Sequence, residues 1–372
     1  MRISVPYGRA PLEFETGDRH IEVLRAPDLP APRPISELLA ALPAFDIARG
    51  ARVTLIVSDP TRAEPRADFV AAIRRRLPDV ELTLAIATGT HGPCRLDELG
   101  LDLNGFAAVV NHDGHSPVDL VELGTTEGGT PVRVHRCVVE TDHVIATGCI
   151  RPHYFAGFGA GAKAIFPGLG EATAIRINHR LKTAYGARAG IVDGNPCRLD
   201  LEAAVRMVPA PITIVNGVSD VDHRVREVVV GDFVRAFRAG CEIARPWFTV
   251  RGKRAPLVIA SDALPVTASL YQAAKIFAAV APLVEEGGRI VVAAECAEGV
   301  EPIDTVNEAI FRIGVLPRLP RGVSIGLVSA VPRAEVARTL VEYVSSIDIE
   351  IGQTNRVLVV PMASQLLCEA DA

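Results

Sequence analysis

Short apolar runs alternate with longer amphipathic stretches along most of the chain. The apolar runs are rich in β-branched residues, which is typical of buried strands. They cover residues 53–58, 82–87, 107–111, 143–148, 212–217, 257–261, 289–294, 324–329 and 356–361. Apolar positions at three- and four-residue spacing predict helices over residues 66–77, 232–244, 267–286 and 333–344. This alternation predicts an α/β fold with two domains, in which helices cover parallel or mixed sheets.

A polar link predicts where the first domain ends. Residues 251–256, Arg-Gly-Lys-Arg-Ala-Pro, precede a new strand–helix–strand series. We therefore expect an N-terminal domain over residues 1–253 and a C-terminal α/β domain over 254–372, whose tail can pack on the first domain. The active site is expected in the cleft between the domains.

Composition narrows the class of protein. The chain has 372 residues, of which 49% are hydrophobic and 22% charged, as is ordinary for a soluble enzyme. A formal net charge of −5 argues against nucleic acid or an anionic membrane as the main partner. The seven cysteines show no C-x-x-C spacing, which indicates reduced thiols. Without an apolar leader or a membrane-length apolar run, a cytoplasmic location is expected.

Polar and small residues follow two of the predicted strands. Asp59, Thr61 and Arg62 come directly after the first strand, and His91 follows the second within Thr-Gly-Thr-His. In open parallel sheets, ligands bind beyond the carboxyl ends of the strands, so these side chains are candidates for binding and acid-base work. A plainer interpretation makes Asp59 a helix cap and His91 an ordinary exposed histidine.

The segment 151–168 follows the strand over 143–148 and is the strongest candidate. It places His153 and Lys163 among small residues that let a large ligand approach the main chain, and His179 follows it. Its glycines satisfy a relaxed G-x-G-x-x-A pattern, but they do not open a helix directly after a strand, and no Walker loop is present. The glycines indicate a phosphate or a bulky cofactor nearby. His153 and His179 lie too far apart for a local zinc motif, and imidazole suits nickel, copper, iron or zinc equally.

The start of the helix over 267–286 is a further candidate. Tyr271, Gln272 and Lys275 can gather on one side of that start and offer a cation and hydrogen-bond donors to an anion. A solvated helix face is the plainer interpretation. Residues 295–299 end the next strand and can either line the same cleft or form a surface turn.

Taken together, these segments resemble the lactate racemase family, whose members use a nickel-pincer nucleotide cofactor. The resemblance spans about residues 58–299. In this order and spacing the matching pieces are specific; they are Asp59-Pro60-Thr61-Arg62, Thr88-Gly89-Thr90-His91, Pro152-His153-Tyr154-Phe155-Ala156-Gly157-Phe158, Lys163-Ala164-Ile165-Phe166-Pro167-Gly168, Asn178-His179 and Tyr271-Gln272-Ala273-Ala274-Lys275.

The resemblance implies how the cofactor would be held. The cofactor is a Ni(II)-pyridinium-3,5-bisthiocarboxylate mononucleotide, whose two sulfur-containing arms and one ring carbon hold the nickel. Lys163 would be tethered covalently to one arm, and His179 would be the protein's ligand to the metal. Further cofactor contacts would come from Asp59, Pro60, Thr61 and Arg62. Cofactor-synthesis proteins are therefore expected partners.

The resemblance also implies the reaction, which is racemisation or epimerisation at C2 of a small 2-hydroxy acid. Removing the C2 hydrogen as hydride to an electron-poor pyridinium carbon avoids an expensive carbanion and gives a 2-keto acid. Returning hydride to the other face inverts the centre. A base is needed near each position of the hydroxyl, and His91 and His153 would be that pair.

Substrate binding is implied at residues of both predicted domains. Gln272 and Lys275 would hold the carboxylate, assisted by Tyr271 and Arg62. Family members that act on lactate tend to carry a tryptophan late in the C-terminal domain. In this chain the only tryptophan lies before residue 253. We therefore expect a substrate other than lactate, either a malate-like diacid whose second carboxylate pairs with Arg151, or a sugar acid.

Two other functions remain as alternatives. A zinc-dependent hydrolase could use His91, His153 and His179 together, but this leaves Lys163 without a role. A cofactor carrier without turnover would need the tether and the metal ligand but not two bases. The chain length of the substrate and the oligomeric state, including a homo-oligomer, stay open at this point.

Overall fold

The computed structural model describes residues 2–371, and its strands and helices are numbered here in chain order. The strands are β1 (Arg2–Val5), β2 (Leu12–Glu15), β3 (His20–Val23), β4 (Arg52–Ser58), β5 (Glu81–Ala87), β6 (Ala108–Asn111), β7 (Leu120–Thr125), β8 (Pro131–His135), β9 (His143–Ile150), β10 (Pro152–His153), β11 (Gly157–Phe158), β12 (Ile212–Ser219), β13 (Val225–Asp232), β14 (Thr249–Gly252), β15 (Ala255–Ser261), β16 (Val284–Ala293), β17 (Ser324–Val328), β18 (Glu342–Tyr343), β19 (Arg356–Val360) and β20 (Leu367–Ala370).

Residues 2–371 contain eight α-helices, fewer than the twenty strands. They are α1 (Ile35–Ala40), α2 (Arg66–Arg74), α3 (Ala172–Arg180), α4 (Pro196–Val205), α5 (Arg235–Phe248), α6 (Leu270–Val280), α7 (Arg333–Val336) and α8 (Ile347–Ile351). A π-helix covers Thr305–Val315. Short 3-10 segments lie at Leu96–Leu99, Arg136–Val138, Gly161–Ala164, Leu181–Thr183, Ala281–Leu283, Leu316–Arg318 and Ala363–Gln365. Within residues 2–371, every helix is too short or too polar to cross a lipid bilayer.

The chain forms two compact units. The middle unit is Leu29–Trp247, and the terminal unit combines the described residues of Met1–Asp28 and Phe248–Ala372. The middle unit contains a six-stranded sheet of order β13-β12-β9-β4-β5-β6, in which only β13 is antiparallel to its neighbour. The terminal unit contains a parallel six-stranded sheet of order β18-β17-β16-β15-β19-β3. The predicted α/β class is confirmed.

The core of the middle unit explains why its central strands form. Strand β4, with the sequence RVTLIVS, is buried at five consecutive positions, as expected of a parallel strand covered on both faces. Leu55 and Val57 of this strand pack in one cluster with Phe69 and Ile73 of α2. This packing holds the carboxyl end of β4 against the first turn of α2.

The division of the chain differs from the predicted boundary after residue 253. The chain passes between units at residues 28 and 247, and the first 28 residues join the terminal unit because β3 pairs with β19. Strand β3 has four residues that mix polar and apolar side chains, so its sequence does not predict pairing with a strand more than 300 residues away. The tail strand β20 pairs with β14, also within the terminal unit.

Two predicted helices are only partly present. The helix expected over 267–286 ends at Val280, and strand β16 begins at Val284, because Pro282 interrupts the helical hydrogen bonds. The helix expected over 333–344 covers only Arg333–Val336, and Glu342–Tyr343 is instead an edge strand. A short apolar pattern does not distinguish the two structures by itself.

Candidate active site

A cavity of about 480 Å³ lies in the middle unit at the carboxyl ends of its parallel strands. The chain extends the sheet from β4 to β5 and β6 on one side, then returns to place β9 on the other side of β4. Such a change of direction opens a crevice between the two central strands, which is where open α/β sheets bind ligands. Predicted site residues that line the cavity are Asp59, Thr61, Arg62, His91, Arg151, His153, Lys163 and His179. Pro60 is not among the lining residues.

Asp59 and His91 form a carboxylate–imidazole pair. Asp59 Oδ2 lies 2.8 Å from His91 Nδ1, and the other carboxylate oxygen accepts hydrogen bonds from the Thr61 N–H and hydroxyl. The Asp59 side chain is 4% exposed, whereas that of His91 is 47% exposed. With Nδ1–H donating to the carboxylate, the neutral ring presents the lone pair of Nε2 as a base. Asp59 does not cap α2, which begins at Arg66.

Hydrogen bonds keep Asp59 ionised. Burial by itself raises the pKa of this carboxyl, but the hydrogen bonds from Thr61 and His91 outweigh it and hold the pKa below its usual value. A permanently charged carboxylate fixes the tautomer of His91. It also stabilises the imidazolium that would form when His91 takes up a proton.

Arg66 holds the turn that carries these groups, and the sequence patterns did not single it out. The side chain is buried and donates to the main-chain oxygens of Ser58 and Arg62, each at 2.6 Å, and also to that of Asp59. An arginine in the first turn of an amphipathic helix is ordinarily solvated, so its position gave no signal.

His153 and Lys163 form the second pair. His153 lies on β10, opposite Gly157 of β11, and Lys163 lies in the 3-10 segment Gly161–Ala164. His153 Nε2 is 2.8 Å from Lys163 Nζ, and His153 Nδ1 accepts a hydrogen bond from the Ala156 N–H at 3.2 Å. A neutral imidazole that accepts at Nδ1 carries its proton on Nε2. The Lys163 amine must then accept a hydrogen bond from this Nε2–H through its own lone pair, which requires the amine to be uncharged.

The electrostatics of the pair agree with this assignment. Burial, followed by the cations of Arg198 and Arg62, lowers the pKa of Lys163 to about 7, with only Cys197 acting in the opposite direction. Burial, the neighbouring Lys163 and then Arg198 also hold the pKa of His153 well below its usual value. Both groups are therefore uncharged at neutral pH for a large part of the population.

Lys163→Met should stabilise the cofactor-free protein near neutral pH. In the folded state the pKa of Lys163 is about 7, whereas the unperturbed value is 10.5. Between these values the unfolded chain binds more protons, so the wild-type protein gains stability as pH rises through this window. After the lost hydrogen bond with His153 is subtracted, we expect the variant to gain about 2 kcal/mol at pH 7, and this gain should vanish towards pH 10.5.

Urea unfolding at several pH values between 7 and 10.5 measures this effect. Lys253→Met, at an exposed lysine, is the matched control and should change the free energy of unfolding by less than about 0.5 kcal/mol at each pH. A gain for Lys163→Met that is the same at all pH values would contradict the lowered pKa.

His179 engages one ring nitrogen with the main chain and leaves the other with its lone pair. It lies on α3, where its Nδ1 donates to the Ile175 carbonyl oxygen at 2.6 Å. Nε2 therefore carries the lone pair, as in metal-ligating histidines whose other nitrogen is tied to a carbonyl. Burial lowers the pKa of His179 to about 4, which keeps the ring neutral. The Phe155 ring lies edge-on to His153 at 4.7 Å and to His179 at 5.0 Å, and so spaces the two imidazoles.

The remaining predicted residues are placed as follows. Arg151 lines the cavity, and its guanidinium donates to the carbonyl oxygens of Asp220 and Val221. Tyr271, Gln272 and Lys275 lie on α6 of the terminal unit. In this helix Lys275 Nζ donates to Gln272 Oε1.

Three further residues at the cavity or beside it were not predicted. Glu64 and His223 line the cavity, and Glu64 Oε1 is buried without a hydrogen-bond partner. Arg198 is completely buried beneath residues 151–168, called here the glycine-rich segment. No pattern marked these residues, because each stands alone in the sequence without a repeated spacing. In the part of the chain described here, no cluster of three or more His, Cys, Asp or Glu side chains is arranged to hold a metal ion.

Comparisons with known proteins give a consistent result. A family model described as the lactate racemase N-terminal domain matches residues 33–190. The lactate racemase of Thermoanaerobacterium thermosaccharolyticum is 31% identical over 322 residues, which cover 80% of this chain and 75% of that protein. The lactate racemase of Lactiplantibacillus plantarum is 29% identical over 266 residues, which cover 68% of this chain and 62% of that protein.

The solved structures agree with the sequences. The lactate racemase apoprotein from T. thermosaccharolyticum superposes with a TM-score of 0.83 at 25% identity, over 99% of this chain and 100% of that one. A structural-genomics target from Thermotoga maritima, with a TM-score of 0.66 at 18% identity, shares the fold over 91% of this chain and 96% of that one.

Proposed function

This chain belongs to the lactate racemase family, and on that premise we propose that it inverts the C2 centre of a 2-hydroxy acid with two histidine acid-bases and a nickel-pincer nucleotide. The observation that carries the proposal is one cavity that brings three features together. His91 pairs with Asp59, His153 pairs with Lys163, and His179 has a lone pair on Nε2. The relatives named lactate racemase support the coarser statement, that the chain is a racemase of 2-hydroxy acids.

The chemistry of the donor set fits the cofactor. Lys163 supplies an uncharged amine for covalent attachment, and His179 supplies an open Nε2 for the nickel. Thr61 and Arg62 would contact the nucleotide, as would Asp59, which also orients His91. When bound, the cofactor would supply an electron-poor ring carbon that takes hydride from C2 and returns it.

The two histidines would divide the proton transfers. His91 has its lone pair on Nε2 and would take the hydroxyl proton of one enantiomer. In the loaded protein His153 would act as imidazolium and give its Nε2 proton to the keto oxygen as the other enantiomer forms, which leaves a neutral ring. The reverse reaction would start with the protons exchanged. Attachment at Lys163 would remove the amine lone pair that accepts the His153 Nε2–H, so the loaded protein would have this proton available for the substrate.

Substrate binding stays a proposal. Gln272 and Lys275 would hold the carboxylate, with Tyr271 and Arg62 assisting. Arg151 already donates to two carbonyl oxygens, so a second substrate carboxylate would have to share its donors. We retain a substrate other than lactate, a malate-like diacid or a sugar acid, as the expectation.

The alternatives find no specific support. For His91, His153 and His179 to bind one zinc ion, His153 would have to give up its contacts with Ala156 and Lys163. A carrier without turnover would have no use for the Asp59–His91 pair.

Loading of the cofactor tests the function. The protein should be produced alongside the cofactor-synthesis proteins of a family member, and its intact mass and nickel content measured. We expect about one nickel per chain and an adduct that peptide mapping places on Lys163. Lys163→Arg, produced in the same way, should carry no adduct. An unmodified Lys163 without nickel, when a known family member loads under the same conditions, would contradict the proposal.

The same loaded protein decides the substrate. Single enantiomers of lactate, malate and a sugar acid should be followed by chiral chromatography. Faster inversion of malate or the sugar acid is expected, and the Arg151→Gln variant should slow inversion of malate more than that of lactate. The fastest inversion on lactate would remove the prediction of another substrate and leave the racemase proposal intact.

A further inference from the structure

Arg198 is a cation in the core of the middle unit that the racemisation chemistry does not use directly. It lies on α4, and its side chain is 0% exposed. Throughout residues 2–371, no carboxylate lies within ion-pair distance of it; the charge of the nearby Glu202 acts on Arg198, but Glu202 forms its ion pair with Arg238 at 3.2 Å. An arginine buried without a directly paired anion is costly to desolvate, so its hydrogen bonds must be placed well to hold it.

The guanidinium is satisfied almost entirely by the glycine-rich segment. Nε donates to the Ala156 oxygen at 3.2 Å, Nη1 to the Ala160 oxygen at 3.5 Å, and Nη2 to the Phe158 oxygen. The Phe237 ring covers the cation, 4.1 Å from its carbon to the ring centroid. Three alternate carbonyl oxygens between His153 and Lys163 therefore share one planar fork of donors.

The segment needs such support because its backbone is strained just before Lys163. Ala160 has φ 63 and ψ −160, a region that residues with a side chain rarely adopt, and Gly161 follows with φ 62. A Cβ on Gly161 would also lie 2.7 Å from the Phe237 ring. A conformation of this kind persists only where the surroundings fix it. The Gly161 N–H donates to Asn216 Oδ1 at 2.9 Å, and the Ala160 carbonyl oxygen accepts from Arg198.

We propose that Arg198 is the positioning residue of the tether: by binding the oxygens of Ala156, Phe158 and Ala160, it sets His153 to donate its Nε2–H to the Lys163 amine. The Ala156 residue provides the direct link. Its oxygen binds Arg198, and its N–H binds His153 Nδ1, which fixes the tautomer. The inference rests on the proposed role of Lys163 as the tether, but its test needs no cofactor.

The charge of Arg198 also acts on Lys163. The ionisable groups that act on this amine are Arg198, Arg62, Cys197, His153 and His179. After burial, Arg198 is the largest cause that lowers the pKa of Lys163. The same residue thus holds the segment and favours the uncharged, nucleophilic amine.

The test is the pH dependence of Lys163 acetylation in the cofactor-free protein, read by peptide mass spectrometry. Lys182, Lys253 and Lys275 are internal references. Half-maximal reactivity of Lys163 should fall near pH 7 in the wild type. In Arg198→Gln the midpoint should rise by about one pH unit, so that reactivity at pH 6 falls about tenfold. Arg198→Lys, which keeps the charge but not the fork of donors, should raise the midpoint by less than Arg198→Gln does.

Phe237→Leu is the matched control, because it loosens the same packing and keeps both the charge and the carbonyl contacts. It should leave the midpoint in place. A folded Arg198→Gln variant with the wild-type midpoint would overturn the proposal, and so would an equal shift in Phe237→Leu.

A second measurement remains available if Arg198→Gln does not fold. In ¹⁵N spectra of the wild type, assigned with His153→Gln, the His153 proton should sit on Nε2. In Arg198→Lys, whose single ammonium replaces the fork, we expect a mixture with the Nδ1–H form. An unchanged Nε2–H form in that variant would show that Arg198 does not position the pair. Failure of cofactor loading would not alter any of these results.

Discussion

Loaded protein carrying His91→Gln should racemise its substrate about 10³-fold more slowly than the wild type while keeping its adduct on Lys163. His91 has an exposed ring whose Nε2 lone pair opens to the cavity, and Asp59 holds its other nitrogen. Glutamine keeps polarity and approximate size but cannot take up a proton. The loss should appear in the rate of inversion, followed by chiral chromatography, with adduct and nickel measured on the same sample.

His115→Gln is the control for this prediction. His115 is exposed and contacts the Thr90 oxygen at 3.2 Å, close in sequence to His91, but it does not line the cavity. Its replacement should leave inversion within about twofold of the wild type. If His91→Gln lost the adduct along with the activity, His91 would be a cofactor contact and its role as a base would be refuted.

The sheets of both units could be predicted from the sequence because their strands are buried on both faces. A largely apolar run such as residues 53–58 has few alternatives once helices flank it. The polar groups at the ends of β4, β5 and β9 were predictable for the same reason, since parallel strands bring their carboxyl ends to one edge. Short or edge strands carried no comparable signal, and β3, β18 and β20 were missed.

The pairing of the site residues could not be predicted. The sequence offered Asp59 as a cofactor contact or a cap, and nothing in the spacing tied it to His91, which lies on the loop after another strand. In the same way, the contact between His153 and Lys163 depends on the hairpin of β10 and β11 and on the strained turn at Ala160.

The two buried arginines show most clearly what could not be predicted from the sequence. Arg66 and Arg198 each bind several main-chain oxygens of a loop that precedes or faces their helix. An isolated arginine at the start of a helix is usually solvated, and only the path of the neighbouring backbone decides otherwise. Irregular loops that carry function leave carbonyl oxygens unpaired, and buried arginines are one means of satisfying them.

Asp59→Asn should slow inversion by about 10²- to 10³-fold, although the variant differs from the wild type by one functional group. An asparagine amide can donate to His91 Nδ1, which would move the ring proton to Nε2 and remove the lone pair that accepts from the substrate. It also withdraws the negative charge that stabilises imidazolium. Because the pKa of Asp59 is held below its usual value, the wild-type carboxylate stays charged across the working pH range, and no acidic limb of the rate profile should come from it.

A double-mutant comparison separates this mechanism from a general loss of structure. If Asp59 acts through His91, then Asp59→Asn combined with His91→Gln should be no slower than His91→Gln alone. Thr61→Val removes one hydrogen bond from the same carboxylate, that of the hydroxyl, and leaves the main-chain N–H bond and the contact with His91 in place. It should therefore slow inversion by about tenfold at most. Multiplicative losses in the double variant would mean that the proposed contact of Asp59 with the nucleotide also contributes to the rate, independently of the imidazole that Asp59 orients.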